Sequence, residues 1–191
     1  MTRVLLLIDI QLDSFPGGRH PLVGPDQAAA AASRLLEHWR EQGAPIVHVQ
    51  HVWDAPDAAF FRPGTPGIEI HPSVAPRPEE PLITKTQPNA FLETALDAQL
   101  DAIGDGAPDE PLELVVAGMM SSMCVDATVR AAADLGYAVT VAHDACAAPD
   151  LAFNGTSVPG AQVHAAFMAA LGEGYATLAS ADDILAAPEL G

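Results

Sequence analysis

Lysine is almost missing from these 191 residues. Lys85 stands alone, and Lys and Arg together number 8 against 25 Asp and Glu, a formal net charge of −17. A chain so poor in cations lacks the clustered base that phosphate backbones and anionic lipid require, so neither nucleic acid nor a membrane is expected as a partner. Two cysteines are too few for a disulfide framework. No apolar run reaches the roughly 18–20 residues that span a bilayer. Met1-Thr2-Arg3 leads at once into an apolar strand with no small-residue cleavage site behind it, so no secretory leader is expected and the cytoplasm is the expected location. The first strand-to-helix turn, Asp9-Ile-Gln-Leu-Asp-Ser-Phe15, contains no glycine. That excludes the dinucleotide-binding fingerprint.

What is present is a chain 49% hydrophobic, enough to bury the core of one domain over residues 1–191. Val4–Ile10 is a continuous apolar run, as expected of a strand covered on both faces. Pro25–Gln42 has helical periodicity, with Asp26 as the expected N-cap and Gly43 as the stop. Ala44–Val52 reads as a second strand and Leu82–Thr86 as a third. Between them lies a long Pro- and Gly-rich loop, Asp54–Glu80. Asn89 is the expected cap of a helix carrying Phe91, Leu92, Leu96 and Leu100. A polar linker, Gly104–Pro111, precedes a fourth strand, Leu112–Ala117. A helix is expected from Val125 to Leu135, a fifth strand at Ala138–Ala142, and a loop over Asp144–Pro159. A helix at Gly160–Leu171, a sixth strand at Tyr175–Leu178 and a closing helix at Ala181–Leu185 complete the alternation. Alternating strands and helices give an α/β fold: a three-layer αβα sandwich with a six-stranded, mainly parallel, Rossmann-like sheet.

Open parallel sheets bind ligands beyond the carboxyl ends of their strands. Asp9, Lys85 and Cys124 all fall there. A buried carboxylate without a partner is costly, which favours a role for Asp9, although a turn cap or an arginine partner would also explain it. Lys85 reads equally as a solvated strand end or as a site where arginine cannot substitute. Cys124 is either a small buried hydrophobe or, at an expected helix N-terminus, a thiol of lowered pKa. An acid, a base and a thiol at equivalent strand ends make nucleophilic chemistry the better reading.

Three segments carry a resemblance: Leu5-Leu-Leu-Ile-Asp9-Ile-Gln11, Ile83-Thr-Lys85 with Asn89-Ala-Phe91, and Gly118-Met-Met-Ser-Ser-Met-Cys124-Val-Asp-Ala-Thr128. They resemble the isochorismatase-like cysteine hydrolases, and the Met-Met…Met-Cys-Val form is closest to streptothricin hydrolase-like members. The resemblance continues through Asp144-Ala-Cys146 and the Val163-His164 helix. It implies a catalytic triad of Asp9, Lys85 and Cys124. It also implies a cis peptide between Met119 and Met120, and an oxyanion hole from the N–H groups of Met120 and Cys124. Ser121 stands where threonine is usual and keeps the hydroxyl. The implied activity is C–N hydrolysis of a small amide, lactam or ureido compound through a thioester. The alternative is a non-catalytic member binding a ligand or partner through the same pocket.

Gln11, Phe15, His51, Trp53 and Phe91 are expected to border the substrate. Nicotinamidases of this superfamily hold a metal through an Asp-x-His cluster after the second strand. Here that region reads His48-Val-Gln-His51-Val-Trp-Asp54, with the histidines on opposite strand faces, so no metal and no other cofactor is expected. His71 stands alone after its loop, Cys146 reads as packing, and His20, His38, His143 and His164 receive no role. The resemblance implies a homodimer or homotetramer, and apolar side chains in the two long loops (Trp53, Phe60, Phe61 and Ile68, then Leu151, Phe153 and Val158) fit an assembly in which a loop walls the neighbour's pocket; the alternative is that each loop folds back as a lid over its own pocket.

Overall fold

The computed structural model describes residues 2–104 and 112–187; beyond Gly104, the expected linker lies outside them. Six strands form one sheet in the order β3 (Leu82–Lys85), β2 (Ile46–His51), β1 (Thr2–Ile8), β4 (Leu112–Met119), β5 (Ala138–Ala147), β8 (Thr177–Ala179). Every neighbouring pair is parallel. Side chains alternate across β1. Leu5 and Leu7 pack toward α1 (Pro25–Gln42) and α5 (Ala181–Ala186) on one face. Val4, Leu6 and Ile8 pack toward α2 (Leu96–Gly104), α3 (Asp126–Asp134) and α4 (Gly160–Gly172) on the other. This is the αβα sandwich expected from the alternation. Among the described residues no helix is long and apolar enough to cross a membrane.

The chain winds outward from β1 to β3, then returns to β4 on β1's other side. The crevice between the carboxyl ends of β1 and β4 is therefore the topological switch point, where such sheets place ligands. Gly118 makes this crossing possible. Its φ is 149°, and a Cβ there would collide with the Ile8 backbone. β1 and β4 can lie this close, with Ile8 opposite Gly118, because that side chain is missing.

Several expected boundaries are corrected. β1 stops at Ile8, because Asp9 turns into the left-handed region at φ 51° while its N–H still donates to Val49 O at 3.1 Å. Gly24, not Asp26, is the N-cap of α1, with Pro25 following in the first turn. Asn89 caps no helix; its Oδ1 takes the Phe91 N–H in a local turn, and α2 waits until Leu96, whose N–H finds the Thr94 hydroxyl. The expected loop Asp144–Pro159 is mostly strand. β5 runs to Ala147, and β6 (Leu151–Phe153) pairs antiparallel with β7 (Thr156–Val158) across Asn154-Gly155, both at positive φ.

The loop 54–80 is ordered by a buried carboxylate. Asp13 accepts N–H bonds from Phe61 (2.7 Å) and Arg19 (3.0 Å). Phe60 and Phe61 are consequently buried in their own chain, so they offer no apolar surface to a neighbour. A second tie is Glu80, which takes both Arg40 Nε (2.6 Å) and His48 Nε2 (2.9 Å). These contacts hold Glu80 low, at about 2, against the opposing effect of its burial.

Candidate active site

Asp9 follows the last residue of β1, His51 and Lys85 end the adjacent strands β2 and β3, and Cys124 follows β4 in a single π-type turn, Ser121–Val125. His51 lies directly opposite Lys85 in the β2–β3 register. All four side chains are buried. Lys85 Nζ lies 2.7 Å from Asp9 Oδ2, a contact off the hydrogen-bond direction that we read as an ion pair. The same Nζ is 3.0 Å from Gln87 O and 3.1 Å from His51 Nδ1. Cys124 Sγ lies 3.6 Å from His51 Nδ1. Asp9 Oδ1 is buried and has no hydrogen-bond partner among the described residues.

The thiol differs from the sequence-based expectation. Burial, then the Asp9 carboxylate, push Cys124 well above its ordinary pKa, and Lys85 opposes them only in part. A helix terminus supplies partial charge, and here removal from water outweighs it. Burial and Asp9 thus favour the protonated thiol over the thiolate. The His51 imidazole is likewise favoured in its neutral form: burial, then Lys85, lower its pKa, against the raising effects of Asp9 and the Thr86 backbone.

The Met119–Met120 peptide is cis. The Ser121 hydroxyl is 2.8 Å from His164 Nδ1, which gives a role to a histidine that had received none. Thr128 ties two of the sequence motifs together, its Oγ1 accepting from Ala90 N at 3.0 Å. Cys146 is buried, and burial pushes its thiol up to about 12.

A cavity of about 490 Å³ adjoins the centre at His51 and Met123, and is also lined by Trp53, Asp54, Thr86 and Gln87. Among the described residues no lysine or arginine lines it. Cys124 does not line it and is fully buried, at 0% exposure. Of the expected substrate neighbours, His51 and Trp53 line this cavity, and Gln11, Phe15 and Phe91 do not. The Gln11 amide is spent on the backbone of His51, donating to its carbonyl (2.9 Å) and accepting its N–H (2.8 Å). Phe15 stacks on His71 beside a separate hollow, and Phe91 stacks on Tyr137.

Asp9, His51 and Cys124 bring a carboxylate, an imidazole and a thiol within 4.8 Å of one another, the donor types of a zinc site. Lys85 Nζ, however, already sits against Asp9 Oδ2 and His51 Nδ1. An ammonium occupies the position a metal would need, so these residues do not fit a resident ion.

A family model described as the isochorismatase domain matches residues 3–182. The chain is 48% identical over 185 residues to the isochorismatase family protein YddQ of Bacillus subtilis, covering 97% of this chain and 99% of that protein. It is 38% identical over 149 residues to a streptothricin hydrolase of Streptomyces noursei, covering 78% of this chain and 51% of that one. The solved structure of an isochorismatase-type hydrolase from Oleispira antarctica superposes with a TM-score of 0.89 at 49% identity, covering 97% of both chains.

Proposed function

The chain belongs to the isochorismatase family, and from that premise we propose that it is a cysteine hydrolase cleaving the C–N bond of a small amide, lactam or ureido substrate through a thioester. Members of the family are hydrolases, amidases among them. The observation that carries the reading is the convergence of Cys124 on the buried Asp9–Lys85 pair at the topological switch point.

Cys124 is the nucleophile. With burial favouring the protonated thiol, the S–H bond breaks as sulfur attacks the substrate carbonyl carbon, and the proton goes to Asp9, whose Oδ1 has no other partner among the described residues. Negative charge thereby leaves Asp9 and appears on the carbonyl oxygen, which the N–H groups of Met120 and Cys124 receive. Lys85 keeps a positive charge beside Asp9 throughout. Collapse of the intermediate breaks the C–N bond. Asp9 gives its proton to the leaving nitrogen; water, deprotonated by Asp9, then attacks the thioester carbonyl, the C–S bond breaks, and Asp9 returns the proton to the departing Cys124 sulfur.

The cavity selects against carboxylates, since Asp54 is its charged lining group and no cation offsets it. The protein acts in the cytoplasm as a homodimer or homotetramer, and neither nucleic acid nor a membrane is a partner. The assembly surface is the β6–β7 hairpin, where Phe153 is 75% exposed. One observation favours the alternative of a ligand-binding, non-catalytic member: Cys124 exposes no surface. Ammonia or amine release across a panel of neutral, cationic and anionic amides and ureas, with Cys124→Ala as blank, decides between them. Release from neutral or cationic members by the wild type alone supports hydrolysis. Saturable binding without release supports the alternative.

A further inference from the structure

Resting on that reading, we propose that His51 is a positioning residue of the reaction: its imidazole, through Nδ1, is one of two hydrogen-bond partners that, with the Asp9 ion pair, fix the Lys85 ammonium beside Asp9 and Cys124.

An ammonium has three N–H donors. Lys85 Nζ has three acceptor atoms within 3.1 Å: Asp9 Oδ2, Gln87 O and His51 Nδ1. Gln87 O and His51 Nδ1 are its two hydrogen-bonding partners and Asp9 Oδ2 holds it as an ion pair, so that losing the His51 acceptor would free the group to turn. That matters because the charge it serves moves. Before attack the negative charge is on Asp9, and afterwards it lies on the substrate oxygen. A cation that swung toward whichever group was charged would lose the benefit of preorganisation.

His51 is itself built to be held. Gln11 clamps its backbone from both sides. Lys85 is its register partner on β3. Its ring lies 5.7 Å from Phe61, which Asp13 pins through the main chain. Contact with Lys85 requires a lone pair at Nδ1 and so the tautomer protonated at Nε2. The 3.6 Å approach to Cys124 Sγ also offers a second reading, with His51 as the base for the thiol. That reading is weaker, because the proton would arrive on an atom 3.1 Å from an ammonium.

The single lysine supplies a direct test. Selective 15N-lysine labelling of the full chain reports one side-chain ammonium, that of Lys85. Its Nζ protons are expected to be protected from solvent exchange in the wild type and in His51→Asn, whose Oδ1 replaces Nδ1 as acceptor. Protection should be lost in His51→Leu, which keeps the volume but not the acceptor; His51→Ala serves in its place if the leucine variant does not fold. With an amide that the wild type hydrolyses, the leucine variant should lose about 30-fold in kcat with KM within about threefold, and asparagine should restore most of it. Unchanged ammonium exchange in the leucine variant overturns the proposal. So does a loss confined to KM, or an equal kcat loss in both variants. If the wild type hydrolyses nothing in the panel, the hydrolase reading and the reaction role fall together, while the ammonium signal still decides whether His51 holds Lys85.

Discussion

Arginine at position 85 would bring the same charge in the wrong shape. The space around Lys85 Nζ is closed by Asp9, Gln87 and His51, three acceptors arranged about a point. A planar guanidinium is wider and cannot converge its donors there. Lys85→Arg should reduce kcat by about 10²-fold or more, measured as initial rates of ammonia or amine release at saturating amide. A near-normal rate would remove the geometric role of the ammonium. Cys124→Ser is expected to lose at least about 10³-fold with an unchanged melting temperature, because the hydroxyl is far harder to deprotonate beside the same Asp9. Cys146→Ser controls for thiol loss, since Cys146 lies beside Gly118 in the β4–β5 ladder and has no charged partner of this kind. Its kcat should remain near wild type.

At the level of elements, the crossing of β1 and β4 is the tightest requirement. Gly118→Ala should destabilise by about 3 kcal/mol through overpacking against Ile8, seen as a lower urea midpoint, and an unchanged midpoint would mean that the strands can separate. The β6–β7 hairpin makes a separate claim. Phe153→Asp should shift the solution mass toward monomer by light scattering and leave the helix content intact; a wild type already monomeric at micromolar concentration would remove the assembly reading. Asp9, Lys85 and Cys124 were legible because strand ends are legible, and in a parallel sheet strand ends converge. His51's place against Lys85 was not, because β2–β3 register pairs residues across the long intervening loop and leaves no local signal. Thr128 and Ala90 lie in two recognised motifs, but nothing along the chain says that they touch. The hairpin is a different case: Asn154-Gly155 between short β-forming runs is a turn signal within a stretch assigned to loop.

Across the whole molecule, burial lowers the pKa of His20, His48, His51 and His164 below 6.5. The unfolded chain therefore binds more protons than the folded one once the pH drops below that value. The stability these groups contribute is present above pH 6.5 and is lost as the pH falls through their lower folded values. Glu80 adds a later loss, beginning near its ordinary 4.5 and complete below about 2. Acid also relieves the self-repulsion of a −17 chain, an effect of opposite sign. At about 1 M salt the screening length is only about 3 Å, so the histidine effect should emerge as a urea midpoint that falls between pH 7.5 and 5.5. A midpoint that rises there would show the histidines to be free to protonate in the fold. The central claim, that Cys124 forms a thioester with a small amide, is tested most directly by acid-quenching the enzyme during turnover and weighing its peptides. The account predicts the acyl mass on the peptide containing Cys124, none on that containing Cys146, and neither adduct nor turnover in Cys124→Ala. Turnover that persists in that variant, or proceeds without an adduct on Cys124, would contradict it.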